Sequence, residues 1–235
     1  VIKISKHSIL LKELFPFTFV ALIWVVQLCQ GFLQTDWSHY SLFPGKIDGI
    51  VGIITGPLLH AGWTHLLGNS LPLLVLGYLL FNSYKEISGK VFWVIYILNG
   101  VLLWLFARPA FHLGASGLVY GMASFLFFSG LIRKHSQLAV ISLLIVFLYG
   151  SMVWGVFPFD PHVSWEAHLY GGLTGLVLAF VFRKEGPQAQ KYWEDEKDDD
   201  AEDVSFEELP LPPKNDSPLE IVYTYKESEK AKEKL

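Results

Sequence analysis

A serine between glycines, Gly114-Ala115-Ser116-Gly117, and a later Ala167-His168 pair supply the two residue types needed for acyl transfer. A neutral serine is a weak nucleophile and needs a base within about 3 Å. Imidazole titrates near neutrality and suits that role. A third cluster, His60-Ala61-Gly62-Trp63-Thr64-His65, continues to Asn69. His65 and Asn69 are four apart, so they share one helical face, and both side chains donate hydrogen bonds. Acyl transfer needs donors aimed at the developing oxyanion, each worth about 3–4 kcal/mol. The candidates are His65, Asn69 and the backbone N–H of Ser116. The acid of a triad is missing: between Asp48 and Asp160 the one acid is Glu86, and Glu166 is two residues from His168, on another helical face. The expectation is a Ser116–His168 dyad, with Tyr120 one turn beyond Ser116 to orient the imidazole by stacking.

Each residue also has a plainer reading. Ser116 alone is a small packing residue, His168 alone an interfacial helix cap, and His65 with Asn69 a tie between helix and loops. The convergence of all three clusters favours chemistry. His60 is read as structural. A metal at His60 and His65 is not expected, because a spacing of five separates them on a helix and no carboxylate completes the set. His112 and His162 are expected to be solvated in loops.

The elements that carry these residues are apolar. The chain is 52% hydrophobic and 17% charged, below the quarter charged of ordinary soluble domains. Six stretches, 15–33, 63–81, 89–107, 114–132, 138–157 and 166–182, approach the roughly 20 residues that cross a bilayer as a helix. Lys3, Lys6, Lys12, Lys85, Lys90, Arg133, Lys134, Arg183 and Lys184 flank one set of ends, against Lys46 and Arg108 on the other. The basic side faces the cytoplasm, so both termini are expected there. The three polar clusters then fall at the outer ends of the second, fourth and sixth stretches. Polar groups at membrane depth are usually functional. Gly171 and Gly175 form a small-xxx-small face for close packing of the sixth stretch, with the fourth as the expected neighbour. Trp154, Phe157 and Phe159 read as interface anchors or as the lining of a lateral gate.

Residues 185–235 hold 16 acidic and 7 basic residues, a net of −9, and the first 184 carry +5. The chain is thus divided into a membrane domain, 1–184, and an acidic tail, 185–235, expected to be disordered and cytoplasmic, its partner unknown. The single cysteine, Cys29, excludes an internal disulfide framework, and no phosphate-binding glycine loop or nucleic-acid motif is present. A transporter would place ionisable residues at the bilayer midplane or break helices in matched halves, and neither pattern occurs here.

Taken in order, His60…His65…Asn69, the G-x-S-G of 114–117, Tyr120, and Ala167-His168 with Gly171 and Gly175 resemble the rhomboid family of intramembrane serine proteases. The resemblance implies an all-α, six-transmembrane-helix bundle in a bacterial-type cell membrane. It implies hydrolysis of peptide bonds in or near the membrane segment of single-span substrate proteins, with no metal or organic cofactor. A rhomboid-like protein that binds client helices without cutting them is the alternative, disfavoured by the presence of both Ser116 and His168. The chain departs from the family at Val51-Gly52, where a Trp-Arg pair is frequent, and at Ser70, where an apolar residue is common.

Overall fold

Apolar segments in hydrocarbon must satisfy their backbone internally, which leaves helices as the economical solution for this sequence. The computed structural model describes residues 6–188, with side chains from residue 13 onward, within the first of the chain's two units, residues 1–190. The expected disorder of the tail concerns residues that lie almost entirely outside the described ones.

The described residues form seven α-helices: α1 (Lys6–Leu33), the short α2 (Gly52–Thr55), α3 (Trp63–Ser83), α4 (Ser88–Phe106), α5 (Ser116–Ile132), α6 (Ser136–Tyr149) and α7 (Trp165–Val181). A 3-10 helix, Gly150–Val156, extends α6. The chain is an all-α membrane protein, and no strand occurs among the described residues beyond a single bridge pairing Leu42 with His112. Four segments, Glu13–Leu33, Trp63–Ser83, Ser88–Phe106 and Ser136–Val156, are long and apolar enough to cross a membrane. α5 and α7, counted as spans in the sequence, have 17 residues each, about 26 Å at 1.5 Å per residue.

α5 is the central post. It packs on α3, α4, α6 and α7, and buries Leu118, Val119, Met122, Phe125 and Leu126 around most of its circumference. Its partnership with α7 is the closest in the fold. A Cβ placed on Gly171 would lie 2.0 Å from the Gly117 carbonyl oxygen, and one on Gly175 would lie 2.1 Å from that of Gly121. Two runs of glycine, facing each other one turn apart, bring the backbones into contact. α6 is peripheral. It buries Leu138, Ser142 and Ile145, and only 11% of the apolar segment it begins is buried.

Polar ties hold the opposite ends. At one end, Arg133 donates to the carbonyls of Phe182, Glu185 and Pro187, while Lys85 pairs with Glu13 and Lys90 with Glu185. The start of α1 and the end of α7 therefore share that end of the bundle. At the other end lie the starts of α3, α5 and α7, where the segment before α5 bridges to the first loop through Leu42 and His112 and through Gly114 N–H to the Gly56 carbonyl.

Candidate active site

Ser116 opens α5. The preceding Gly114 has φ +105°, a left-handed conformation that favours glycine, and a Cβ there would come within 2.5 Å of the His65 ring. The turn thus sets Ser116 at the helix start and lets His65 close on the backbone beside it. The first intrahelical bond runs from Val119 N–H to the Ala115 carbonyl, which leaves the earlier N–H groups, that of Ser116 included, without a helical partner.

His168 lies in the first turn of α7, buried. Its Nδ1 is 2.8 Å from the Gly155 carbonyl oxygen. A carbonyl can only accept, so Nδ1 carries a proton and, in the neutral ring, Nε2 is left as a base. Tyr120 stacks on the ring with centroids 4.1 Å apart and planes 6° from parallel. Its hydroxyl donates to the Met152 carbonyl at 2.7 Å. Ser116 and Tyr120 are one turn apart on α5, and His168 is one turn before Gly171 on α7. The Gly117–Gly171 contact and the Tyr120–His168 stack therefore bring the serine and the imidazole to the same end of the same seam.

Tautomer logic also orients His65. The Ala61 N–H approaches His65 Nδ1 at a long 3.5 Å, which makes that nitrogen the acceptor and Nε2 the donor. Nε2 is the side of the ring that faces Gly114. Asn69 is buried and donates one amide hydrogen to the His65 carbonyl at 2.9 Å, leaving its second hydrogen for another acceptor.

Two sequence readings are corrected. His60 and His65 are not kept apart by helical spacing. His60 precedes α3, and its ring lies edge-on to that of His65 with centroids 5.1 Å apart. Burial, and then the neighbouring His65, push the His60 imidazole down to about 4. His112 is not solvated. It is buried, its Nδ1 lies 2.6 Å from Ser164 Oγ and its Nε2 3.1 Å from the Arg108 carbonyl, and burial lowers its pKa. The helical signal could not reveal this, because His112 lies between helices and its burial comes from the loops that cover it. His162 is exposed, as are Trp154, Phe157 and Phe159.

Three further groups take their places only in the fold. The Gly155 carbonyl belongs to a backbone no pattern can place. Glu166 is buried and paired with Arg108 at 3.5 Å. Asn99 of α4 is buried, and its amide nitrogen would lie 2.0 Å from a Cβ on Gly117, so glycine is needed there on two sides. Among the described residues no group of three or more His, Cys, Asp or Glu side chains is arranged to hold a metal ion.

Residues 47–185 match the model of the Rhomboid domain. The chain is 38% identical over 176 residues to an uncharacterized protein of Mycobacterium tuberculosis (strain ATCC 25618 / H37Rv), covering 70% of this chain and 72% of the relative. It is 29% identical over 192 residues to YdcA of Bacillus subtilis (strain 168), covering 70% of this chain and 91% of that protein. It is 33% identical over 129 residues to RHOMBOID-like protein 1 of Arabidopsis thaliana, covering 53% of this chain and 32% of the plant protein.

Proposed function

This chain belongs to the rhomboid family, and from that premise we propose that it is an intramembrane serine protease working through a Ser116–His168 dyad. The observation that carries the reading is the fixed state of His168. Its Nδ1–H is held by the Gly155 carbonyl and its face by Tyr120, so the basic Nε2 is directed by two independent contacts. A solitary packing histidine would not require both.

In this reading Ser116 Oγ attacks the scissile carbonyl carbon while its proton passes to His168 Nε2. The oxyanion accepts from the Ser116 N–H, from His65 Nε2–H and from the free hydrogen of Asn69. Collapse of the tetrahedral intermediate breaks the C–N bond, and His168 returns the proton to the departing amine. Water, deprotonated by the same nitrogen, then attacks the ester carbon; the C–Oγ bond breaks, the acyl group leaves as a carboxylic acid, and Nε2 returns the proton to Ser116 Oγ. Gly155 does part of the work of a triad's carboxylate: it fixes the tautomer. It carries no charge, so it stabilises the imidazolium less.

We further propose six membrane spans with both termini cytoplasmic. Two 26 Å helices in a hydrocarbon layer of about 30 Å leave roughly 4 Å unfilled. With α5 and α7 both starting at the outer end, that shortfall opens a recess above Ser116, in which water can reach the site. The substrate is a single-span membrane protein whose helix unwinds near its outer boundary, because each freed backbone group in hydrocarbon would cost several kcal/mol. A small residue at the cut fits best against the backbone of Gly114–Gly117.

The test is covalent labelling. The detergent-purified protein should take up a fluorophosphonate at Ser116, located by mass spectrometry, and should cleave a reconstituted single-span reporter. Ser116→Ala and His168→Ala should each abolish both, and the double variant should lose no more than either alone. Cleavage that survives Ser116→Ala refutes the assignment.

A further inference from the structure

The Gly155 carbonyl can orient His168 only if the backbone that carries it stays in place. That backbone, from the 3-10 helix Gly150–Val156 to the start of α7, belongs to the least buried part of the fold, and Trp154, Phe157 and Phe159 on it are all exposed. Side chains from elsewhere in the fold anchor it on both sides of Gly155, and at its end the His112 ring also holds Ser164 Oγ at 2.6 Å. On the near side of Gly155, Tyr120 donates to the Met152 carbonyl. On the far side, the guanidinium Nη2 of Arg108, from the loop between α4 and α5, donates to the carbonyls of Pro161 and Val163 at 2.9 and 2.8 Å. Arg108 is in turn fixed by Glu166, whose side chain is only 2% exposed: Nη1 stands 3.5 Å from Oε2, and the Arg108 backbone N–H reaches Oε1 at 3.4 Å.

We propose that Arg108 and Glu166 are positioning residues for the dyad, acting through the Gly155 carbonyl to hold His168 in its Nδ1–H tautomer; the inference rests on the protease reading above. Arginine is suited to this because its rigid fork serves several acceptors at once, here two carbonyls and a carboxylate, where a lysine ammonium is a single flexible point of charge. Glu166 is suited because its buried carboxylate lies in the first turn of α7, where a helix N-terminus favours an anion, and the Arg108 guanidinium is the cation that faces it. The acid that the dyad lacks is thus present one step removed. It does not touch the imidazole; it fixes the arginine that fixes the strand of backbone that touches the imidazole.

Removing Arg108 alone would strand a buried charge and could unfold the protein, so the informative variant is Arg108→Met combined with Glu166→Met. Replacing a buried ion pair by apolar side chains of similar volume is often neutral or stabilising. Two readouts are taken in liposomes: the 15N shifts of the His168 ring, assigned by difference from His168→Gln, and kcat and KM on the reporter. The wild type should show the Nδ1–H tautomer alone. The double variant should keep a wild-type melting temperature, show a mixture of tautomers, and lose roughly 10- to 100-fold in kcat at unchanged KM, as expected for misplacement of about 1 Å. Arg108→Lys, which retains the charge but not the fork, should fall between the two. A double variant with the wild-type tautomer overturns the proposal, whether or not its kcat has fallen. A wild type that cleaves nothing, with the tautomers behaving as stated, would instead sink the protease reading and leave the positioning role standing.

Discussion

The contact between α5 and α7 can be strained by a single methyl group. In Gly171→Ala the new Cβ would lie 2.0 Å from the Gly117 carbonyl oxygen and 2.9 Å from its carbon. Such contacts do not fall below about 3 Å, and the obstacle is backbone rather than a flexible side-chain end, so the helices must part by at least about 1 Å at this point. Ser116 immediately precedes Gly117, and His168 is one turn before Gly171, so the displacement falls between nucleophile and base. Misplacement of that size costs about 10²-fold in rate. Overpacking should cost about 1–3 kcal/mol of stability, offset by the roughly 1 kcal/mol that alanine gains over glycine in a helix. The expected outcome is therefore a protein that is folded, slightly less stable, and about 100-fold slower in kcat on a reconstituted reporter. The adjacent Gly172 is the control, because a Cβ there meets nothing within 4 Å. Gly172→Ala should keep wild-type kcat and unfold at an equal or higher temperature. If Gly171→Ala cleaves as fast as Gly172→Ala, the close seam does not set the dyad and the reasoning fails.

Tyr120→Phe keeps the stack on His168 but loses the bond to the Met152 carbonyl, worth about 0.5–1.5 kcal/mol, so kcat should fall by roughly 2- to 10-fold, and Tyr120→Leu should lose more; equal effects of the two would deny the stack any part. Asn69→Ala should lower kcat by roughly 10²–10³ with little change in melting temperature; parallel losses of folding and activity would mark Asn69 as a structural tie through its bond to the His65 carbonyl. His60 and His112 are held neutral in the fold with lowered pKa values, so the unfolded chain binds the extra protons first. Stability should accordingly be full above about pH 6.5 and decline as pH falls towards 4, by up to about 3 kcal/mol from His60. Thermal unfolding in detergent at pH 7 and pH 4.5, compared between the wild type and His60→Gln, checks this, and an equal pH dependence in both would remove His60 from the account.

Helix existence and type were legible in the sequence because apolar runs of near-membrane length leave the backbone no alternative. Some boundaries fell within a few residues, as with 63–81 against Trp63–Ser83 and 166–182 against Trp165–Val181, whereas α1 starts at Lys6 rather than at 15 and α6 gives way to a 3-10 helix after Tyr149 rather than running to 157. Candidates for the chemistry could be picked out for a related reason: a serine, histidines and an asparagine stand out where polar groups are costly. Local spacing also placed His65 with Asn69, and Ser116 with Tyr120, on common faces, since within one helix the period fixes neighbours. Spacing failed where the chain leaves the helix. His60 meets His65 across a turn, and His112 is buried because the Leu42 bridge and Ser164 enclose it. The small-xxx-small face of Gly171 and Gly175 pointed to a close seam with the fourth stretch, but the tertiary structure alone decided that the Gly155 carbonyl serves His168 and that Arg108 bridges Glu166 to the carbonyls before α7. These contacts join residues far apart in the chain through backbone atoms, and every residue carries the same backbone atoms, so no pattern of residue types can announce them.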